Sequence, residues 1–456
     1  AGVILGNSLT GEQTRANTLR QRWPFVRRAL RAAAEARGLS SIVPELEVTM
    51  EEYYKSVFAP TTEDSLSGGL SNTVAGRICN VLNFHGGGYT VDGACSSSLI
   101  AVATAATALT NGDMDFVLAG GVDISLDTFE LIGFAKTGAL TKADMTVYDR
   151  KASGFIPGEG CGFVALKRLD DARRDGDFVY AVLRGWGISS DGKGGLTAPG
   201  KVGQATALRR AYERAGYSPR ENAFFEGHGT GTTVGDKTEL QGIALAIGSD
   251  FDPNADLRAH GVTSFKSLVG HTKAASGVGG LVKAVMAVNR RVIPPTAGCK
   301  EPNAVFSDEA KFLYPVLQGE VQDAGQVLRA GVSAMGFGGI NCHVTLESGD
   351  APAERLTPTI EERALLVSNQ DSEVFVFSAG TLPELIEQVE QTRERAQGIS
   401  LAEVLDLAAQ LGCEDKAQPV RAAFVAGTPE ALLEQLDALL AMLADNPPDE
   451  PGELVT

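Results

Sequence analysis

The chain has 456 residues, 43% of them hydrophobic and 21% charged, which is ordinary globular material for more than one core. Its net charge of −17 leaves no basic footprint for nucleic acid, and the acidity is uneven, since residues from 349 onward carry 21 acidic and 6 basic side chains while the rest is nearly balanced. No apolar run approaches a membrane span in this reading, the N-terminus has no signal-peptide pattern, and six scattered cysteines form no Cys-x-x-Cys pair, so a soluble cytoplasmic protein with reduced thiols and no membrane partner is expected.

Near the start, seven arginines between Arg15 and Arg37 share a stretch with Leu19, Trp23, Val26 and Leu30 at helical spacing. This reads as a solvated amphipathic helix, or as a basic face for an acidic protein partner. Next, the apolar run Tyr89-Thr90-Val91 leads through Asp92-Gly93-Ala94-Cys95-Ser96-Ser97 into a small-residue helix from Ser98 to Leu109. A strand-to-helix turn there delivers the Cys95 thiol to a helix N-terminus, where unpaired N–H groups and the macrodipole favour thiolate. Apolar runs at Asp115 to Ala119 and Phe163 to Lys167 follow as strands, and this alternation argues for α/β layers with buried sheets.

Two histidines then lie in Gly/Thr-rich turns, each after a segment that reads as a buried strand: Ala223 to Phe225 before Glu226-Gly227-His228-Gly229-Thr230-Gly231-Thr232, and Val262 to Phe265 before Lys266-Ser267-Leu268-Val269-Gly270-His271-Thr272. Farther on comes the glycine loop Gly336-Phe337-Gly338-Gly339-Ile340-Asn341-Cys342-His343. After Glu347, Gly349, Asp350, Pro352 and Pro358 mark a linker. Strands at Glu373 to Ser378 and Arg421 to Ala426, with helices at Leu382 to Ala396, Leu401 to Leu411 and Pro429 to Leu443, make a small α/β unit, and the closing 446–451 stretch reads as disordered.

The cysteine, the two histidine turns and the glycine loop, in this order, resemble the ketosynthase (beta-ketoacyl synthase) domain of a type I polyketide synthase. The resemblance implies a thiolase-like five-layered αβαβα fold over residues 1–348, followed by an acidic linker domain over 349–456 between ketosynthase and acyltransferase. Gly86-Gly87-Gly88-Tyr89, Gly93, Val234, Lys237 and Lys273 depart from the common modular pattern and are more similar to iterative enediyne-type synthases. Family members also carry a segment ahead of Val3 to Ser8, with an opening strand and an Asp-Pro motif that this sequence does not show; if that segment is truly absent from the protein, the resemblance implies a sheet lacking a central strand.

For the chemistry, the resemblance assigns Cys95 as the nucleophile that takes an acyl chain, and His228 and His271 as donors to the enolate oxygen formed when a malonyl thioester loses carbon dioxide. The backbone N–H groups of Cys95 and Phe337 form the oxyanion hole, and Lys266 orients the site, with Glu239 as the expected partner of this buried cation. Thr230 and Thr232 bind the phosphopantetheine arm or, in the plainer reading, stabilise their turn. Phe337 and Gly338 complete the substrate contacts, and the glycines of this loop permit the backbone angles that aim its N–H. No metal or bound cofactor is expected, because phosphopantetheine arrives on the acyl carrier protein. The implied partners are that carrier, malonyl and acyl thioesters, an adjacent acyltransferase and a second copy, with Tyr89 to Val91 near the two-fold axis. His343 reads as a core histidine, and His85 and His260 as surface or loop residues. A Cys/His hydrolase, a zinc site from Cys95, His228 and His271, and a non-condensing partner such as a chain-length factor or decarboxylase are the alternatives.

Overall fold

The computed structural model describes residues 1–9, 11–193, 198–248, 258–323, 325–349, 372–399, 401–414, 416 and 418–445. It divides the chain into two compact units, Ala1–Leu356 and Thr357–Thr456. The linker stretch 350–371 and the closing 446–456 stretch lie outside the described residues.

The first unit opens with strand β1 (Gly2–Gly6), followed by helices α1 (Glu12–Arg20), α2 (Trp23–Glu35), α3 (Val43–Ser56), α4 (Asp64–Gly68) and α5 (Asn72–Leu82). Strand β2 (Gly88–Val91) and a 3-10 turn at Ala94–Ser96 lead into α6 (Ser97–Asn111), then β3 (Phe116–Asp123), α7 (Thr128–Lys136) and β4 (Gly160–Lys167). These four strands form one sheet in the order β2-β1-β3-β4. The expected vacancy at its centre is not seen, because β1 pairs directly with β3 in parallel from Gly2↔Val117 to Gly6↔Gly121.

After α8 (Leu169–Asp175) come β5 (Ala181–Ser190), α9 (Lys201–Ala215), β6 (Phe224–Glu226), α10 (Thr233–Ile247), β7 (His260–Thr263) and the short α11 (Lys266–Val269). A second 3-10 turn, Lys273–Ala275, leads into α12 (Ser276–Arg290). The unit closes through β8 (Val292–Ile293), α13 (Val305–Asp308), β9 (Leu313–Pro315), β10 (Glu320–Val321), β11 (Arg329–Gly336) and β12 (Ile340–Ser348). The second sheet runs β5-β12-β11-β6-β7-β9. The expected strand Val262 to Phe265 is shifted: β7 ends at Thr263, and Phe265 already caps α11.

The architecture follows from what α6 and α12 are made of. Leu99, Ala101, Val102, Ala103 and Ala105 on α6 are buried, as are Val278, Leu281, Ala284 and Val288 on α12. Both helices pack against strands of both sheets and against each other, forming one core with Ile4, Val117, Phe224, Val332 and Val344. A helix apolar on all sides must be covered on all sides. With α5 outside the first sheet and α9 and α10 outside the second, this is the thiolase-like five-layered αβαβα fold. The stretch Ala94–Asn111 is long and apolar enough to cross a membrane by composition, contrary to the sequence reading, but 56% of it is buried as this central helix.

The second unit pairs β13 (Glu373–Ala379) with β14 (Val420–Ala426) antiparallel and adds α14 (Leu382–Arg395), α15 (Leu401–Glu414) and α16 (Pro429–Asp445). Phe375, Phe377, Leu385, Val389, Leu411, Leu432 and Leu436 form its core.

Where β1 ends, Gly6 passes so close to the start of α6 that a Cβ would stand 2.3 Å from Ser98 N and 2.4 Å from Ser97 C. Neither backbone atom can yield without moving the helix that carries Cys95. Gly6→Ala is therefore expected to cost about 1–3 kcal/mol, the usual range for overpacking, read as a lowered melting temperature with reduced acylation of Cys95.

Candidate active site

The turn that carries Cys95 is closed by its own polar groups. Asp92 Oδ1 accepts the Ala94 N–H at 2.9 Å, Ser97 Oγ accepts the Gly93 N–H at 2.9 Å, and the same hydroxyl donates to Ala94 O at 2.6 Å. Ala94 sits at φ +51°, a left-handed conformation that a non-glycine residue adopts only when its surroundings hold it there. From the other sheet, Gly336 touches this turn so closely that a Cβ would lie 2.1 Å from Gly93 O. That contact brings Phe337 beside Cys95, and among the described residues neither the Cys95 N–H nor the Phe337 N–H is given to another protein group.

Burial reverses one expectation. It pushes the Cys95 thiol up to about 11, with Lys266 the largest opposing charge, so the sulfur rests protonated and is not a standing thiolate.

Carboxylates buried beneath the loops hold the histidines in place. Glu239 accepts the N–H groups of His228 at 2.6 Å and Gly229 at 2.9 Å, and the Tyr148 hydroxyl at 3.0 Å. Asp236 accepts the N–H groups of Tyr148, Thr230 and Gly231 at 2.7, 3.1 and 3.0 Å, and burial raises its carboxyl to about 7. Glu226 accepts the Phe265 N–H and pairs with Lys283 at 2.9 Å. Glu239 is thus committed to backbone N–H groups and not to an ion pair with Lys266, whose Nζ instead donates to His228 O at 2.6 Å. At a longer range Glu239 is still the main charge opposing the burial that lowers Lys266.

The imidazole tautomers follow from their neighbours. His228 Nδ1 accepts the Met335 N–H at 3.2 Å and faces Lys266 Nζ at 3.3 Å, while His271 Nδ1 accepts the Lys273 N–H at 3.1 Å. Burial first, then the charge of Lys266, holds both rings well below the ordinary histidine value, so both are neutral. A neutral ring whose Nδ1 accepts carries its proton on Nε2. Both rings are therefore Nε2–H donors, with centroids 5.6 Å apart and planes at 86°.

Cys95, His228, His271, Thr230, Thr232 and Phe337 line one cavity of about 440 Å³. Gly338, expected to contact substrate, is the exposed apex of its turn, and Gly336 and Gly339 line the cavity in its place. Thr230 and Thr232 hydroxyls lie 3.0 Å apart, and Thr232 also caps α10 by accepting the Gly235 N–H.

Sequence reasoning missed the aromatic wall. Phe134 packs on Phe155 at 5.2 Å and on Phe337 at 6.3 Å, and Phe155 packs edge-on to His271 at 4.9 Å. Lone phenylalanines in unremarked segments carry no signal of such convergence.

The remaining residues take other places. His343 is a core residue between Ser333 and Tyr212, as read. His260 is not on the surface: it is 5% exposed on β7, its Nδ1 lies 2.7 Å from Asn222 O, and Phe225 and Phe312 flank it. In the arginine stretch, Arg15 pairs with Asp127, Arg31 with Glu47, and Arg20 reaches Lys55 O, which leaves Arg22, Arg27, Arg28 and Arg37 exposed without an ion pair among the described residues. Among the described residues no group of three or more His, Cys, Asp or Glu side chains is placed to hold a metal.

A partly buried thiol sharing one cavity with two preorganised donors, inside a thiolase-like fold, defines a class of acyl-transferring condensing enzymes. Two family models agree: "Beta-ketoacyl synthase, N-terminal domain" over residues 45–172 and "Beta-ketoacyl synthase, C-terminal domain" over 180–300. The chain belongs to the beta-ketoacyl synthase family, as a ketosynthase domain of the polyketide synthase type. It is 38% identical over 331 residues to a phenolphthiocerol/phthiocerol polyketide synthase of Mycobacterium tuberculosis, covering 71% of this chain and 17% of that protein. It is 36% identical to a polyunsaturated fatty acid synthase of a Thraustochytrium species, covering 73% and 12%. The chain thus spans less than a fifth of the length of these curated relatives. Among solved structures, the ketosynthase from module 6 of the bacillaene synthase of Bacillus subtilis 168 matches with TM-score 0.59 and 31% identity, covering 85% of this chain and 67% of that one. An oxazolomycin ketosynthase domain of Streptomyces albus matches with TM-score 0.60 and 28% identity, covering 86% and 65%.

Because the thiol rests protonated, iodoacetamide should alkylate Cys95 at a rate that keeps climbing to about pH 10, roughly tenfold per unit, without a plateau near neutrality. Lys266→Met removes the largest charge opposing the shift, so the climb should move to still higher pH. Mass spectrometry of the Cys95 peptide against pH checks both.

Proposed function

We propose that this chain catalyses decarboxylative Claisen condensation of malonyl-acyl carrier protein with an acyl chain held on Cys95, as an iterative domain in polyketide synthesis of the enediyne polyene type. The observation that carries this reading is that the Cys95 sulfur and two Nε2–H imidazoles line one cavity. The polyketide and polyunsaturated fatty acid synthases among its relatives support the reaction context. The departures at Gly86 to Tyr89, Gly93, Val234, Lys237 and Lys273 support the enediyne type.

In the first half-reaction the Cys95 sulfur bonds to the acyl carbon, the phosphopantetheine sulfur leaves, and the Cys95 proton ends on that leaving thiol, so no external base is consumed. In the second, a malonyl thioester places its carbonyl oxygen between the two Nε2–H groups. The carboxylate departs as carbon dioxide, and its electron pair spreads onto that oxygen. A preorganised donor in a dry site is worth about 3 kcal/mol to such a developing charge. The enolate carbon then attacks the Cys95 acyl group, whose oxygen receives the N–H groups of Cys95 and Phe337. The new carbon–carbon bond forms as the carbon–sulfur bond breaks, and the negative charge returns to the Cys95 sulfur, which lies near Lys266 and takes up a proton. A hydrolase would need a ring nitrogen lone pair toward the thiol, but both Nδ1 atoms already accept backbone N–H groups.

In this reading the chain works in the cytoplasm as a homodimer around the edge strand β2, where Tyr89 is 39% exposed. Its second unit links ketosynthase to an adjacent acyltransferase, and acidic carrier protein meets the exposed Arg27 and Arg28.

With octanoyl-pantetheine as the acylation probe and malonyl-pantetheine as the decarboxylation probe, Cys95→Ala should lose self-acylation by the first yet still release carbon dioxide from the second, whereas His271→Ala should lose decarboxylation by on the order of 100- to 1,000-fold and keep acylation. Loss of both activities in both variants would contradict the assignment. Charge reversal at Arg27 and Arg28 is expected to slow turnover of carrier-bound substrate roughly tenfold at low salt and to leave pantetheine thioesters unaffected. An unchanged carrier-bound rate removes the docking role.

A further inference from the structure

We propose that Lys273 is a positioning residue: its ammonium, clamped between Asp123 and Glu130, fixes the backbone N–H that holds His271 as an Nε2–H donor and ties that ring to the aromatic wall carried by α7. This rests on the reading of His271 as the enolate-stabilising donor.

The clamp lies behind the cavity and outside its lining. Lys273 Nζ stands 3.0 Å from Asp123 Oδ1 and 2.9 Å from Glu130 Oε2, with the three side chains 5%, 1% and 4% exposed. Neither contact meets hydrogen-bond geometry, so charge more than directionality holds the ammonium. Ser125 Oγ bridges the two acids, at 2.6 Å from Asp123 Oδ1 and 2.9 Å from Glu130 Oε1. Asp123 Oδ2 also accepts the Ala274 N–H at 3.3 Å. Arg15 braces the assembly from α1, pairing with Asp127, the N-cap of α7, and donating to Ser125 O at 2.9 Å.

Three consequences converge on His271. Lys273 sits at φ +49°, a conformation with a cost that the buried ion pairs can offset, and its N–H meets His271 Nδ1 at 3.1 Å. Asp123 ends β3 and Glu130 belongs to α7, so one lysine joins the His271 turn to two separate elements. On α7, Glu130 and Phe134 are one helical turn apart on the same side, and Phe134 touches Phe155, which packs on the His271 ring. Two carboxylates for one ammonium make this more than a neutral structural pair. A stability staple of lower desolvation cost would be apolar.

Removing the lysine alone strands two buried carboxylates, so the informative variant is the double substitution Lys273→Gln with Glu130→Gln, which removes one charge of each sign. Carbon dioxide release from malonyl-pantetheine and acylation of Cys95 by octanoyl-pantetheine are measured side by side on folded protein. The expected result is decarboxylation down by on the order of 100-fold, the size of effect a small misplacement of a catalytic group produces, with acylation close to wild type. Glu130→Gln alone, which keeps Lys273 on Asp123, should show the same split at about tenfold. Variants that match wild type, or in which both half-reactions fall together, overturn the clamp. A wild type that releases no carbon dioxide overturns the functional reading itself, and the clamp with it.

Discussion

The site depends on two helix N-termini meeting in the central layer. α6 and α12 each begin after a 3-10 turn whose first residue, Ala94 or Lys273, is left-handed, and the two turns are stitched across the seam. Ser276 Oγ donates to Cys95 O at 3.2 Å, and the Val278 N–H donates to Ser98 Oγ at 3.0 Å. One turn presents the sulfur, and the other follows directly on His271. The third functional group, His228, comes from the end of β6 and is locked by Met335 of the neighbouring β11.

Desolvation sets the electrical state of this junction. It raises the thiol and lowers both imidazoles, so the resting cavity holds a neutral nucleophile and two neutral donors, with Lys266 as the nearby cation. Of the three carboxylates under the histidine loops, only Glu239 reaches the cavity lining. Glu226, Asp236 and Glu239 are spent on backbone N–H groups of the loops, where each charge fixes geometry. A dry cavity with fixed dipoles around it suits stabilisation of an enolate, which bulk water would otherwise solvate with less order.

Much of this was legible in the sequence. The small-residue run after Cys95 reads directly as a buried helix, and the Gly/Thr-rich turns announce where His228 and His271 must lie. What escaped was whatever depends on distant packing. Cys95 at a helix start suggests a thiolate, but its burial is contributed by residues from the other half of the unit. Asp123 and Glu130 lie some 150 and 143 positions from Lys273, so their convergence has no local trace. His260 looked solitary because its partner, Asn222 O, belongs to the loop before a neighbouring strand. The shortened β7 reflects the same limit: Val262 and Phe265 frame a run that could extend as a strand, yet Glu226 draws the Phe265 N–H away from the sheet.

The seam between the central helices also bears on how such a site can change over evolutionary time. At Gly277 a methyl group would come within 2.9 Å of Leu99 Cβ and 3.0 Å of Leu99 N, so even the smallest enlargement pries α6 from α12. Any drift there would widen the gap between attacking atom and proton donors in a single stroke. Diversification is consequently channelled to the rim, where Val234 is exposed and touches neither helix of the seam.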